Sequence, residues 1–379
     1  MVINNCRVCG HKFFDKPLLR YENMPQAAQF LPEAKSLQKD YGISLEVCQC
    51  SGCGLVQLNN SPVSYYKEVV RAASISPEMK AFRLKQFTDF VQKYSLTRKK
   101  IIEIGCARGE YLSLMQRCGA EAYGLEISQQ SVNFCKKNGL KVTQGFVQSD
   151  TDRLKESPFA AFFILNFLEH LPDPNSTLSG IGNNLSDEAV GLVEVPNFDM
   201  ILRKNLFSEF IADHLFYFTK DTLEKTVSQN GFNIIESSVV WHDYIISAVV
   251  KKRKKFDMSH FYKYQTKIKK EIKEYISRFK NKKVAVWGAG HQALTIISLS
   301  NLAGKIKYVI DSAPFKQGKY TPATHISIVS PQMFYSDSLD AVIVMAASYS
   351  DEIVKIIQKK YGSINIAVLR DHGLEIIKN

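Results

Sequence analysis

Two close pairs of cysteines constrain this chain more than any other feature. Cys6 and Cys9 form a Cys-x-x-Cys in CRVCG, and Cys50 and Cys53 form a second in CSGCG. A glycine follows each pair, so the chain can turn and aim backbone amides at the sulfurs. Two such turns supply four thiolates, the complete ligand set of a closed tetrahedral Zn²⁺ site. The pairs lie about forty residues apart, so a metal here closes a long loop in a segment with little apolar core. A site filled by four protein ligands leaves no position for substrate. The expected zinc is therefore structural, and chemistry must be sought elsewhere. Cys48 precedes Cys50 by two residues, but its distance from Cys53 in sequence does not fit such a turn.

The chain has 379 residues, more than one ordinary core accommodates, which predicts two or three domains. With 45% hydrophobic and 11% aromatic residues it reads as a folded globular protein. No run of eighteen apolar residues occurs, and MVINNCRVCG has no signal-peptide pattern. The expectation is a soluble, cytoplasmic protein with no membrane partner. Cys106, Cys118 and Cys135 stand in apolar settings and read as reduced core thiols. The net charge of +12 is concentrated in residues 251–283, where 14 lysines and arginines face 3 acids. There FYKYQTKIKKEIKEYISRF places apolar residues near helical spacing, which predicts an amphipathic linker helix with a lysine-rich face. Aromatic-rich nucleic-acid modules are absent, so a nucleic-acid partner is not expected.

Beyond the cysteines, strands and helices alternate. KKIIEIGCARGEYLSLM, AYGLEIS, KVTQGF, AAFFILNFLEHLP and AVGLVEVPN carry strands of an open, mainly parallel sheet, and KVAVWGAGH begins a second alternating unit. The predicted fold class is α/β in three parts. Residues 1–62 form a small zinc-binding module and 63–250 a Rossmann-like central sheet. Residues 251–283 give the basic linker helix and 284–379 a C-terminal Rossmann-like unit.

IIEIGCARGEY reads as a strand, a glycine-rich turn and a helix start, with Gly105 and Gly109 in the turn around Cys106, and Glu103 before it. About twenty residues on, Glu126 ends the next strand, where a carboxylate accepts hydrogen bonds from ribose hydroxyls. The turn is not the dinucleotide pattern, because Ala107 and Arg108 precede Gly109. An acid before the turn suits a cationic ligand better than a pyrophosphate. Together with LNFLEHLPDP at the fourth strand, this pattern points to S-adenosylmethionine.

Taken together, CRVCG…CSGCGLVQL, NMPQAAQFLPE, SISPEMKAF, EIGCARGEYL, FLEHLPDP, EVPN, ADHLFYFT, VAVWGAGH, VIDSAPFKQGKYTPATHI and ASYSDEI resemble a family nearly end to end. It is the three-domain S-adenosylmethionine-dependent sugar C-methyltransferases, which act on nucleotide-linked deoxysugars. The resemblance implies that Glu103, Gly105, Cys106, Gly109 and Glu126 form the cofactor site, with Asn166 and Phe167 near the methyl donor. It implies a general base at His214, paired with Asp213, and a second active-site histidine at His170. An imidazole suits removal of a proton beside a keto group, which leaves an enolate carbon as nucleophile. Lys316, Gly318, Tyr320, Thr324, His325 and Tyr349 become the candidates for holding the nucleotide-sugar, in a C-terminal unit expected to bind no dinucleotide. The chain is expected to act as a monomer or weak homo-oligomer.

This chain departs from the family pattern at three places. Ile211 stands where a tyrosine is usual, two positions before the acid. A second tyrosine is replaced by Arg71 or displaced to Tyr65 or Tyr66. A glycine-rich piece is lost where WHDYIISAVV stands. Oxygen methylation of a sugar, which needs a base but no enolate, is therefore the alternative chemistry. An NAD-linked oxidoreductase using Gly288, Gly290 and Asp311 is a more distant one.

Overall fold

The computed structural model describes residues 2–29, 31–68, 75–279, 283–360 and 364–377. The described chain divides into two compact units, Met1–Lys255 and Phe256–Asn379.

The first unit opens with three antiparallel strands, β1 (Leu19–Met24), β2 (Ile43–Gln49) and β3 (Val56–Leu58). Helix α1 (Pro77–Lys93) follows, capped by the Ser76 hydroxyl, which accepts from the Met79 N–H. Then come β4 (Lys100–Ile104), α2 (Glu110–Arg117), β5 (Glu121–Glu126), α3 (Gln129–Lys137), β6 (Lys141–Gln144) and β7 (Phe159–Leu165). The unit continues through α4 (Pro174–Asn183), β8 (Leu185–Pro196), α5 (Phe198–Arg203), β9 (Phe216–Tyr217), α6 (Lys220–Gln229), β10 (Phe232–Val240) and β11 (Ile245–Lys252). The central sheet has the order β10-β11-β8-β7-β4-β5-β6, in which β11 alone runs against the others. Its inner strands are apolar on both faces, as FAAFFIL shows, because helices cover both sides.

The cysteine-bearing module is not a separate bead. Strand β9, more than 150 residues downstream, pairs antiparallel with β3 and completes a four-stranded sheet β1-β2-β3-β9. Cys6, Val8, Cys50 and Leu55 share one hydrophobic core with Phe162, Leu178, Val227 and Phe232. Asn175 and Gln229 both donate to the Val8 carbonyl, at 2.7 and 3.1 Å. The module is thereby tied to α4 and α6.

In the second unit, the basic segment supplies α7 (Ser259–Ser277), which buries Ile268, Ile272 and Tyr275. Tyr264 and Lys267 donate to the carbonyls of Arg370 and His372, so the helix is part of this unit's fold rather than a free linker. There follow β12 (Val284–Trp287), α8 (His291–Leu299), β13 (Val309–Ile310), β14 (Ile328–Val329), α9 (Pro331–Ser336), β15 (Ala341–Val344), α10 (Ser350–Lys360), β16 (Asn365–Leu369) and β17 (Leu374–Ile377). The sheet order is β14-β13-β12-β15-β16-β17, parallel except for β17. Among the described residues no helix is long and apolar enough to cross a membrane.

One buried ion pair fixes α1 on the central sheet. Arg83 of α1 and Glu194 of β8 are both fully buried and hydrogen-bonded to each other, and Gln86 donates to the other carboxylate oxygen. The guanidinium also lies 4.9 Å from the centre of the Tyr111 ring. Removing one member of such a pair strands a buried charge and costs ~3–5 kcal/mol, whereas replacing both with apolar groups costs far less. Arg83→Met should therefore lower unfolding stability in urea by about that amount, and adding Glu194→Met should recover most of it. Equal losses in the single and double variants would show that the pair is not what fixes the helix.

Candidate active site

The carboxyl edge of the central sheet gathers the first group of expected residues. Gly105 follows β4 with φ +71°, and a Cβ there would meet the Phe167 ring at 2.9 Å. Gly109 caps α2 with φ +77°, and a Cβ on it would run into Leu140 at 2.4 Å. Both positions thus require glycine for conformation and for space. Glu126 ends β5, buried, and its two oxygens accept the N–H groups of Ala107 and Ser128, each at 2.8 Å. Those bonds take one lone pair on each oxygen, which leaves acceptor capacity for a diol. Burial raises the pKa of this carboxyl, against the pull of those amides. Glu103 is buried on β4. Asn166 follows β7 with φ +50°, and its side-chain oxygen is buried without a hydrogen-bond partner among the described residues. An orphaned acceptor, a tight glycine turn packed against Phe167 and Leu140, and a carboxylate with acceptor capacity left for a diol fit an adenosine-type cofactor. Cys106 differs from its neighbours. Its sulfur packs under the sheet, where a Cβ on Gly124 would meet it at 2.5 Å, so only its backbone faces the turn.

Beside this edge, His170 and His214 meet edge to face with ring centres 4.7 Å apart. His170 lies in the turn after β7, fully buried, with Nδ1 held 2.7 Å from the Asp213 carbonyl oxygen. That contact makes Nδ1 the protonated nitrogen of the neutral ring and leaves Nε2 free as an acceptor. Phe167, packed against Gly105, lies 6.4 Å from the His170 ring. Burial lowers both imidazole pKa values, and for His214 the neighbouring His170 lowers it further. Both rings are accordingly neutral at neutral pH.

The acid expected to pair with His214 points elsewhere. The Asp213 carboxylate accepts the Tyr65 hydroxyl at 2.7 Å and the Ala28 N–H at 3.0 Å. It clasps two N-terminal segments over the site and leaves the imidazole alone. Of the positions expected for the displaced tyrosine, Tyr65 makes this contact, Tyr66 packs edge to face on Phe146 with ring centres 6.3 Å apart, and Arg71 lies outside the described residues. At Ile211, the backbone N–H donates to the Tyr217 hydroxyl at 3.0 Å. Glu169 was not singled out from the sequence, yet it is fully buried, and a carboxylate oxygen of Glu169 and a ring nitrogen each of His170 and His214 all lie within 4.8 Å of one another. The signal was present in LEHLP, in the acid directly before the histidine.

The four thiols of Cys6, Cys9, Cys50 and Cys53 also converge within 4.8 Å. Cys6 and Cys53 are 3.7 Å apart and Cys9 and Cys50 are 3.3 Å apart, close to the ~3.8 Å between sulfurs of a tetrahedral zinc site. The N–H of Val8 and the Gln57 amide donate to the Cys6 sulfur, and the N–H groups of Gly52 and Cys53 donate to that of Cys50. Such donors stabilise thiolates. Cys48, buried on β2, stands outside this group.

In the second unit, the six residues expected to hold substrate fall into two places. Lys316 and Tyr349 line a cleft of about 340 Å³ at the carboxyl ends of β12, β13 and β15, with Gly288, Gly290 and Asp311. The Asp311 carboxylate there is already engaged by the N–H groups of Ala289 and Ala313 and by Lys316. Tyr320, Thr324 and His325 line a separate open groove with Lys283 and Lys307. Gly318 lies on neither wall, its N–H bonded to the Ile328 carbonyl.

Residues 79–237 match the model of a methyltransferase domain, and residues 246–366 match that of a C-methyltransferase C-terminal domain. The chain is 22% identical to the C-methyltransferase NovU of Streptomyces niveus, over 93% of this chain and 91% of that protein. It is 29% identical to the ubiquinone biosynthesis O-methyltransferase of Methylococcus capsulatus, over 24% of this chain and 40% of that one. The crystal structure of an S-adenosylmethionine-dependent methyltransferase from Clostridium acetobutylicum aligns with half of this chain at 13% identity and a TM-score of 0.38.

The buried carboxyl of Glu169 should register in stability. Burial pushes its pKa up from 4.5 to about 8, so between those values the folded protein keeps a proton that the unfolded chain releases. A raised carboxyl pKa therefore lowers stability as pH rises, by about 1.4 kcal/mol per pH unit across that window. Glu169→Gln lacks this slope. Its melting temperature should gain on the wild type's between about pH 5.5 and 7.5, the range chosen to keep the thiolates metal-competent. A constant offset between the two melting curves across this range would show that Glu169 is ionised in the fold.

Proposed function

Since the chain belongs to the S-adenosylmethionine-dependent methyltransferases that carry a C-methyltransferase C-terminal domain, we propose that it methylates a carbon of a nucleotide-linked keto-deoxysugar with His214 as general base. The observation that carries this reading is the contact between two neutral imidazoles, His170 and His214, beside the glycine turn and Glu126. S-adenosylmethionine supplies an electrophilic methyl group on a sulfonium sulfur, and Glu126, the Gly105 turn and Asn166 are the residues that would hold it. His214 is half-buried while His170 is fully buried, so His214 is the imidazole that substrate can reach. Burial keeps this ring unprotonated, with an acceptor nitrogen available, and also weakens it as a base, so the proton it takes needs a further group to share it. His170, fixed by the Asp213 carbonyl, orients the His214 ring. Lys316 and Tyr349 in the cleft, with Tyr320, Thr324 and His325 in the groove and Gly318, are proposed contacts for the nucleotide-sugar. The presence of a C-methyltransferase C-terminal domain favours carbon over oxygen as the acceptor.

His214→Ala should leave S-adenosylhomocysteine binding intact and lower turnover by about 10²–10⁴-fold, the usual worth of a positioned base. Wild type incubated in heavy water with a nucleotide-linked 4-keto-deoxysugar and S-adenosylhomocysteine should wash deuterium into the carbon beside the keto group. Methylation on oxygen without wash-in would exclude the carbon route. Full activity of His214→Ala would remove this histidine from the reaction.

The four thiols are proposed to hold one structural Zn²⁺ per chain. Cys50→Ser should lower bound zinc and destabilise the first unit, because one thiolate of a closed set is lost. Cys48→Ser should leave the zinc in place. The reverse pattern in a metal assay would show that the ligand set is wrong.

A further inference from the structure

Resting on the reading of His214 as base, we propose that Glu169, rather than the adjacent Asp213, is the carboxylate that backs the histidine pair and takes up the proton His214 removes. Three observations carry this assignment. Asp213 is committed to Tyr65 and Ala28 through both oxygens. Glu169 Oε1 lies 3.9 Å from His170 Nε2, and its atoms share one cluster with the ring nitrogen of His214. Glu169 Oε2 is buried with no hydrogen-bond partner among the described residues.

A buried carboxyl with one oxygen left unbonded costs stability, and such groups persist where they serve a reaction. The proton balance of the step is simple. The substrate C–H bond breaks, its electron pair remains as the enolate, and the proton goes to the His214 ring nitrogen. With Glu169 ionised, the proton moves on from the His214 ring to the carboxylate, while His170 keeps its Nδ1–H on the Asp213 carbonyl. The cluster then ends neutral, with no isolated imidazolium in a buried site. With Glu169 already protonated, His214 would have to hold a bare positive charge. Activity should therefore rise with pH as Glu169 ionises. The titratable groups around this carboxyl are His170 on its own turn, His214 and Asp213 on the segment before β9, and Tyr244 before β11. Tyr244, whose pKa is raised by burial and then by Glu209 and Glu169, stays neutral and donates to Glu209 at 3.3 Å. Glu169 is thus a positioning and proton-sharing residue that acts through His214.

The test is a pH titration of the zinc-loaded full chain, labelled with [¹⁵N]histidine and bound to S-adenosylhomocysteine, read by NMR. The His170 and His214 signals, assigned with His170→Gln and His214→Gln, should show a step as Glu169 ionises. That step should vanish in Glu169→Gln and persist in Asp213→Asn. With a nucleotide-linked 4-keto-deoxysugar, kcat of Glu169→Gln should fall at least tenfold and its acid limb should move. KM should hold. If Glu169→Gln folds poorly, the wild-type titration decides by itself: no step in either histidine overturns the proposal. Identical histidine curves in wild type and Glu169→Gln also overturn it. So does a second tightly bound metal ion per chain that Glu169→Gln and His170→Ala both lose, which would make the cluster a cation site. Loss of turnover in His214→Ala beside full turnover in Glu169→Gln would overturn this assignment and leave the base reading standing. An active His214→Ala would strike the base reading instead, while the NMR titration still reports on the carboxyl.

Discussion

The short peptide from Asp213 to Tyr217 is hydrogen-bonded to two different parts of the first unit, and the candidate site depends on that double attachment. On one side, the Leu58 N–H donates to the Leu215 carbonyl at 2.9 Å, and β9 continues the ladder with β3. On the other, the Leu215 N–H donates to the Glu169 carbonyl at 2.8 Å, and His170 is held by the Asp213 carbonyl. His214 reaches His170 only because this peptide lies between the thiol-bearing sheet and the turn after β7. The cysteine turns are therefore coupled to the chemistry without touching it. They fold β2 and β3 into position, β3 holds β9, and β9 sets the imidazole. Loosening the thiol cluster frees the peptide on one side and widens the gap between the rings.

Two buried carboxylates show opposite solutions to the cost of placing charge in a protein interior. Glu194 is surrounded by Arg83 and Gln86, so its charge is compensated and the pair contributes geometry, anchoring α1. Glu169 has two neutral imidazoles beside it in place of a guanidinium, and burial drives it towards the neutral acid. In the first arrangement each carboxylate oxygen accepts a bond from a fixed donor, one of them a guanidinium, so the charge stays in place. The second can gain or lose a proton near neutral pH. Within one unit, the difference between the structural carboxylate and the one proposed to react lies in what surrounds each.

Local features of the sequence were the readable ones. The cysteine turns, the Gly105–Gly109 turn and the alternation of strands are each encoded within a few residues, and each appears in the expected place. What escaped was set by contacts between distant segments. Asp213 and His214 are neighbours in sequence, but they leave a tight turn closed by the His214 N–H on the Ile211 carbonyl, and their side chains diverge there. The carboxylate therefore goes to Tyr65 and the ring to His170. The partner role falls to Glu169, more than forty residues away, by a juxtaposition that only the β9 pairing creates. The same limit applied in the second unit. KQGKY and the residues up to His325 read as one binding segment, yet the chain turns between Lys316 and Tyr320 and sends the two to different walls.

The departures from the family pattern also acquire a physical sense at this site. With Ile211 the chain lacks a hydroxyl two positions before the acid, and the backbone there is instead pinned by Tyr217. Tyr65 approaches from the N-terminal side, but its hydroxyl proton is spent on Asp213, and burial with that carboxylate raises its pKa to about 12. A phenol so engaged is a weak donor to an enolate oxygen. What Glu169 can offer on the proposed route is a sink for the proton. Taken up by an ionised Glu169, the proton moves away from the enolate carbon, which disfavours its return. Glu126, the Gly105 turn and Asn166 would hold the cofactor, whose sulfonium would supply the positive charge beside the enolate.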